Sequence, residues 1–205
     1  MENILEYLKS AYAPLAIIVY GSYADGSNNE HSDFDALVIV PEGEEHHDTS
    51  VVEGVRLDVF VYPAASLEGE IDCEAFIQVA DGQLALDTEG RAEALMRRVR
   101  DYIASLPGKT EAEVQDGIAW CEKMLERAQR GDAEGFYRWH WLLADSLEIY
   151  CDAAGRRYLG PKKTLRWMES QEPEAYACYT RALRAFSLES LLNWIEYLKN
   201  RPSVG

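Results

Sequence analysis

Leu15-Ala16-Ile17-Ile18-Val19-Tyr20-Gly21-Ser22, nine residues of mostly polar loop, then Ser32-Asp33-Phe34-Asp35 running into Ala36-Leu37-Val38-Ile39-Val40: this stretch decides the fold. Two apolar β-rich runs are each bounded by chain breakers, Pro14 and Gly21 for the first and Pro41 for the second, so both read as strands. Between them stand a glycine-serine step and two carboxylates spaced by two. On a strand that spacing turns Asp33 and Asp35 to the same face.

Working outward, Val55-Arg56-Leu57-Asp58-Val59-Phe60-Val61-Tyr62 alternates as a third strand. Arg56, Asp58, Phe60 and Tyr62 face one way, and Leu57, Val59 and Val61 the other. Gln83 to Asp87 predicts a fourth strand, and helical patterns fall at 2–12, 66–80 and 90–105. Leu106-Pro107-Gly108-Lys109 breaks the pattern. Beyond it every periodic segment is helical. Thr110 and Glu113 form a capping box, Asp132 caps a helix running toward Gly155, Pro161 and Pro173 sit in first turns, and Ser187 caps the last helix. The expectation is an α+β chain: residues 1–106 as a small mixed β-sheet domain with flanking helices, and 107–205 as an all-α bundle of five helices.

Composition narrows the function classes. The net charge of −16 is concentrated early: residues 1–105 hold 21 acidic and 6 basic side chains, residues 106–205 hold 15 and 14. Such a field repels polyphosphate chains, which disfavours a long DNA or RNA substrate, and it attracts small cations. No apolar run approaches the ~20 residues needed to span a bilayer, and the first residues lack the features of a signal peptide. Four widely spaced cysteines make no metal-ligand rhythm and read as reduced thiols. The expected setting is cytoplasmic, without a membrane partner.

The chemistry lies in the opening stretch. Gly21 lets backbone approach a phosphate without a Cβ in the way, and Ser22 offers a hydroxyl and free N–H groups. Two carboxylates as close as Asp33 and Asp35 repel each other unless a cation lies between them, and Mg²⁺ takes carboxylates together with phosphate oxygens and water. Asp58, a carboxylate between Leu57 and Val59 at a strand centre, packs poorly there and is the third ligand that a second ion needs.

Tyr20-Gly21-Ser22, Asp33-Phe34-Asp35 and Leu57-Asp58-Val59 together resemble the signature of the nucleotidyltransferase superfamily that includes DNA polymerase β. The likeness covers residues 12–62 directly. The strand at 83–87 and the helical second half look like the antibiotic-modifying branch, the kanamycin and lincosamide nucleotidyltransferases. The resemblance implies that Gly21, Ser22 and Ser32 hold the triphosphate of an NTP, most simply ATP, and that Asp33, Asp35 and Asp58 bind two Mg²⁺ ions. It implies transfer of an NMP, AMP by preference, to a hydroxyl of a small-molecule acceptor such as an aminoglycoside- or lincosamide-like antibiotic. It also implies a homodimer.

Other residues carry less. Asp145 is a carboxylate among Trp141, Leu142 and Ile149, a setting that suits a general base, while an ion pair with Arg138 is the plainer reading; Glu148 is the fallback. Lys162, at a helix start where a lysine is electrostatically misplaced, hints at a bound phosphate. His140 reads as a core histidine, and His46-His47-Asp48, in a glutamate-rich loop, as a solvated turn. Two other functions compete: a toxin–antitoxin type nucleotidyltransferase acting on a protein or RNA partner, and a non-catalytic nucleotide-binding descendant. The helical half has His140 as its one histidine and no arginine five to seven residues before it, which lowers the case for RNA cleavage. The three aspartates argue against a non-catalytic descendant.

Overall fold

The structure is a computed structural model that describes residues 1–201. It divides into two compact units, Met1–Leu106 and Pro107–Gly205.

The first unit is a mixed sheet between two layers of helix. In chain order it contains α1 (Glu2–Tyr12), β1 (Ala16–Val19), α2 (Gly21–Asp25), β2 (Phe34–Val40), β3 (His46–Asp48), β4 (Val51–Val52), β5 (Val55–Pro63), two 3₁₀ stretches (Ala64–Leu67 and Cys73–Asp81), β6 (Gln83–Asp87) and α3 (Arg91–Ser105). The strand order is β3-β5-β2-β1-β6, with β4 paired to β5. Among the described residues only β2 and β5 run parallel; the other pairings are antiparallel. The chain leaves β2 at Val40, lays β3 one position further out, and returns as β5 into the gap between them.

The alternation of side chains builds two cores. Ile17, Val19, Phe34, Ala36, Val38, Leu57, Val59 and Val61 face α1 and α2, where Ile4, Leu8 and Ala24 meet them. Ile18, Tyr20, Leu37 and Ile39 face the longer 3₁₀ stretch and α3, against Phe76, Val79, Leu95 and Val99. Odd positions of β2 and even positions of β5 share this second face, so Asp35 and Asp58 stand at its end.

Two sequence expectations are corrected here. Residues 66–80 form no single α-helix. Gly69, at φ 67°, and the cap of Asp72 on the Glu74 amide split the segment into two 3₁₀ stretches that pack on the sheet face. His46-His47-Asp48 is not a solvated turn but the edge strand β3, paired to Val61, Phe60 and Val59. Asp48 fastens it: the hydroxyls of Tyr12 (2.7 Å) and Tyr7 (3.5 Å) and the Ser50 amide (2.9 Å) donate to its carboxylate. Burial works against that carboxyl's charge, yet the hydrogen bonds from Ser50, Tyr12 and Tyr7 hold it below its usual range.

The second unit holds α4 (Glu111–Ala128), α5 (Ala133–Ala153), α6 (Pro161–Gln171), α7 (Pro173–Ala185) and α8 (Leu188–Lys199), with the predicted caps of Thr110, Asp132 and Ser187 all formed. Its core gathers on Trp194 and Tyr150, both fully buried. The Trp194 indole N–H donates to Ser146 Oγ (2.8 Å), and the Tyr179 hydroxyl donates to the Leu143 carbonyl (2.7 Å), so these buried polar groups are satisfied. His140 is exposed rather than in the core and stacks on Phe186, at 5.4 Å between ring centroids. Among the described residues no helix is long and apolar enough to cross a membrane.

Phe34 is fully buried and meets the edge of Tyr23 at 5.1 Å between centroids. Phe34→Ala is therefore expected to lower unfolding free energy by about 3–5 kcal/mol in urea titrations followed by circular dichroism.

Candidate functional site

The site is built by register. β2 and β5 are parallel neighbours in which Asp35 lies directly beside Asp58, with Phe34 beside Leu57 and Ala36 beside Val59. Neighbours in a ladder point the same way at a strand separation of about 4.8 Å, so two carboxylates share one face. Both are half-buried. Asp33 lies one residue before β2 and is exposed. Ser32, ahead of it, closes the loop by accepting from the Asn29 amide (2.9 Å) and donating its own amide to the Asn29 carbonyl (3.0 Å).

Gly21 completes one wall. It has φ 65°, and a Cβ built on it would lie 2.2 Å from Asp35 Oδ2 and 2.9 Å from Asp35 Cγ. The Asp35 carboxylate thus rests against the bare Gly21 backbone, which no other residue type allows. The next residue, half-buried Ser22, sits in the first turn of α2, whose end is fixed by the Gly26 amide on the Ser22 carbonyl. The Tyr20 amide donates to the Asp35 carbonyl (3.0 Å), carrying the β1–β2 ladder up to the site.

Sequence reasoning missed two residues here. Tyr20 is buried, and its phenol is pushed above the usual range by burial first, then by the negative charges of Asp58 and Asp35. It reads as the last apolar residue of a strand, and only the β1–β2 register, which continues from Val19 beside Ala36, puts it beside Asp35. His47 Nε2 lies 2.5 Å from Asp58 Oδ1. The signal for it was His46-His47-Asp48 itself, whose strand pairing no local pattern announces.

The donor set fits a hard cation. Two ladder-paired carboxylates supply oxygen only, and Gly21 leaves open backbone beside one of them. Among the described residues no three His, Cys, Asp or Glu side chains gather closely enough to hold a metal by themselves. Mg²⁺ binds through one or two carboxylates completed by substrate phosphates and water, so a carboxylate pair is within its ordinary range.

Asp145 and Lys162 lie in the second unit. Asp145 is half-buried on α5; burial raises its carboxyl, a hydrogen bond from Trp141 opposes that, and Glu148 adds to it. Asp152, one turn beyond Glu148, is raised too, by burial and then by Glu148 and Glu113 against Lys109. Burial, helped by Asp145 and Glu122, pushes the Cys121 thiol up to about 12, which leaves it inert. Lys162 is exposed in the first turn of α6.

Residues 1–93 match the family model described as a nucleotidyltransferase domain. That match supports a nucleotidyltransferase enzyme. A comparison with curated proteins gives no match. Among solved structures, a nucleotidyltransferase-like protein from Exiguobacterium sibiricum 255-15 is 14% identical, with a TM-score of 0.42, over 96% of this chain and 73% of that one. A toxin-antitoxin structure with AMP-PNP is 19% identical, with a TM-score of 0.34, over 58% of this chain and 94% of that one.

Two outcomes follow from the geometry. Gly21→Ala and Gly26→Ala both place a side chain at positive φ, a cost of about 1–2 kcal/mol each, but Gly26 faces open space and Gly21 faces Asp35. Gly21→Ala is expected to lose more stability than Gly26→Ala in paired thermal melts. For Asp145 the sign follows from its raised carboxyl. The folded state disfavours the charged form, so above the folded pKa the residue opposes folding, and below about pH 4 the effect is gone. Asp145→Asn should raise the melting temperature at pH 7, and the gain should vanish as pH falls toward 4.

Proposed function

We propose that this protein transfers an NMP, AMP by preference, from a Mg²⁺-bound NTP to a hydroxyl group of a small acceptor molecule. The observation that carries the reading is the ladder pairing of Asp35 with Asp58 on one face, with Gly21 bare against Asp35. Asp35 and Asp58 would hold Mg²⁺, with Asp33 next to them in sequence as the further carboxylate. The ion's chemistry would be to draw negative charge from the phosphates and lower the pKa of a hydroxyl bound to it. Gly21 and Ser22 follow β1 directly and would receive the triphosphate through backbone amides and the Ser22 hydroxyl, with Ser32 as a further contact.

The reaction balances simply. The acceptor oxygen bonds to the α-phosphorus, the bond from that phosphorus to the β-bridging oxygen breaks, and pyrophosphate leaves. The hydroxyl proton passes to a carboxylate; Asp145 is proposed for that step on the chemical ground that its carboxyl is held above the usual range. Little else is asked of the protein, since phosphoryl transfer is catalysed mainly by positioning and charge neutralisation.

The acceptor class follows from charge. A unit with 21 acidic and 6 basic side chains over residues 1–105 favours a small cationic acceptor over a polyanion. Aminoglycoside-like compounds carry both the hydroxyls and the positive charge, and Lys162 is proposed as a phosphate contact.

The test is titration with each NTP, with and without Mg²⁺, followed by a screen of acceptors for pyrophosphate release. Metal-dependent NTP binding is expected, and Asp35→Asn or Asp58→Asn should each lower turnover by about 10²-fold or more. Absence of nucleotide binding under either condition defeats the reading. With labelled ATP, label on a protein band instead of a small molecule replaces the acceptor.

A further inference from the structure

β3 has a consequence for Asp58 that goes beyond the carboxylate pair. His47 stands opposite Phe60 on the antiparallel β3–β5 ladder, and Asp58 is the diagonal neighbour, within reach of a long side chain. The imidazole lies flat on the Phe60 ring, with centroids 4.3 Å apart and planes 4° from parallel. That stacking fixes the ring plane, and Nε2 meets Asp58 Oδ1 at 2.5 Å. An ionised carboxylate only accepts hydrogen bonds, so Nε2 carries the proton. Among the described residues no other hydrogen bond to the Asp58 carboxylate is found, which leaves its second oxygen for another partner.

We infer that His47 is a positioning residue for Asp58: held by Phe60, it fixes one carboxylate oxygen so that the other is presented to the cation beside Asp35. This rests on the proposed metal-dependent reading. A carboxylate within a strand can rotate about two side-chain torsions, and half-burial restrains them only in part. A hydrogen bond from a ring that is itself immobilised removes that freedom before the cation arrives. Partners of this kind, one shell out from the ligand, typically change metal affinity about 10- to 100-fold when removed.

The experiment measures Mn²⁺ binding to the full chain by electron paramagnetic resonance, with a non-hydrolysable ATP analogue present, and needs no turnover. His47→Ala should weaken Mn²⁺ binding about tenfold. His47→Gln, whose amide N–H also donates to a carboxylate, should recover part of that loss. In an Asp58→Asn background, His47→Ala should add nothing, because the group it orients no longer binds as an anion. Because His47 lies on an exposed edge strand, thermal melts of both variants should stay near the parent. Unchanged or tighter Mn²⁺ binding in His47→Ala overturns the inference, as does an equal loss in the Asp58→Asn background. A parent protein that binds no Mn²⁺ overturns the metal reading itself, and this inference with it, which separates the two failures.

Discussion

Two carboxylates on adjacent parallel strands form the constraint on which the first unit turns. Like charges about 4.8 Å apart across a ladder are unfavourable, and half-burial strengthens their repulsion. The fold tolerates Asp35 beside Asp58 because both stand at the end of a face whose other members are Leu37, Ile39 and Tyr62. One residue earlier or later in either strand would turn its carboxylate into the core beneath α1 and α2, where every strand position is apolar. The register that buries Phe34, Ala36, Leu57 and Val59 is the same register that pairs the aspartates. Core and site therefore cannot be varied independently.

That coupling explains how much was legible from the sequence. A period of two is an intrinsic property of a strand, so Asp35 and Asp58 could be placed on faces from spacing alone, whereas Asp33 falls one residue before β2, and an aspartate between Leu57 and Val59 stood out against its neighbours. The parallel pairing that makes Asp35 and Asp58 direct neighbours depends on the chain skipping a position at β3, which no local pattern encodes. His47 was lost for the same reason. Three residues, His46-His47-Asp48, are too short for periodicity to register, and the surrounding glutamates read as solvated loop. What makes them a strand is tertiary: β5 offers its free edge, and Tyr7, Tyr12 and Ser50 grip Asp48. The segment at 66–80 failed differently, because apolar spacing compatible with an α-helix is also met by successive 3₁₀ turns once a glycine at positive φ breaks the run.

In the second unit, legibility divides along burial. Caps are local hydrogen bonds between residues three apart, so Thr110, Asp132 and Ser187 behave as their sequence contexts predict. His140 does not, because a helical wheel shows which residues lie together but not where a face ends. Phe136 and Tyr137, beside it on α5, are exposed as well, and Phe186 at φ 42° closes over Trp139 and His140 from the end of α7.

Four of the six basic side chains in residues 1–105 are engaged away from the aspartates, while Arg56 lies two residues before Asp58 on β5. Arg91 is held by Glu89 (2.6 Å) and Glu68 (3.0 Å), Arg98 by the carbonyls of Leu67 and Gly69, and Arg100 by the Ala80 carbonyl. Lys9 pairs with Glu6 on α1. These side chains brace α3, the loop after the first 3₁₀ stretch and the N-terminal helix, and their donors are directed there. A triphosphate brought to Gly21 and Ser22 adds negative charge beside Asp35 and Asp58, which are already like-charged neighbours. A guanidinium would offset that charge at a fixed place, whereas an ion shared between carboxylates and phosphate oxygens offsets both at once and arrives with the charge it must balance. On the proposed reading the acidity of the first unit suits the chemistry, because an ion that arrives with the nucleotide offsets the charge of Asp35, Asp58 and the phosphates together.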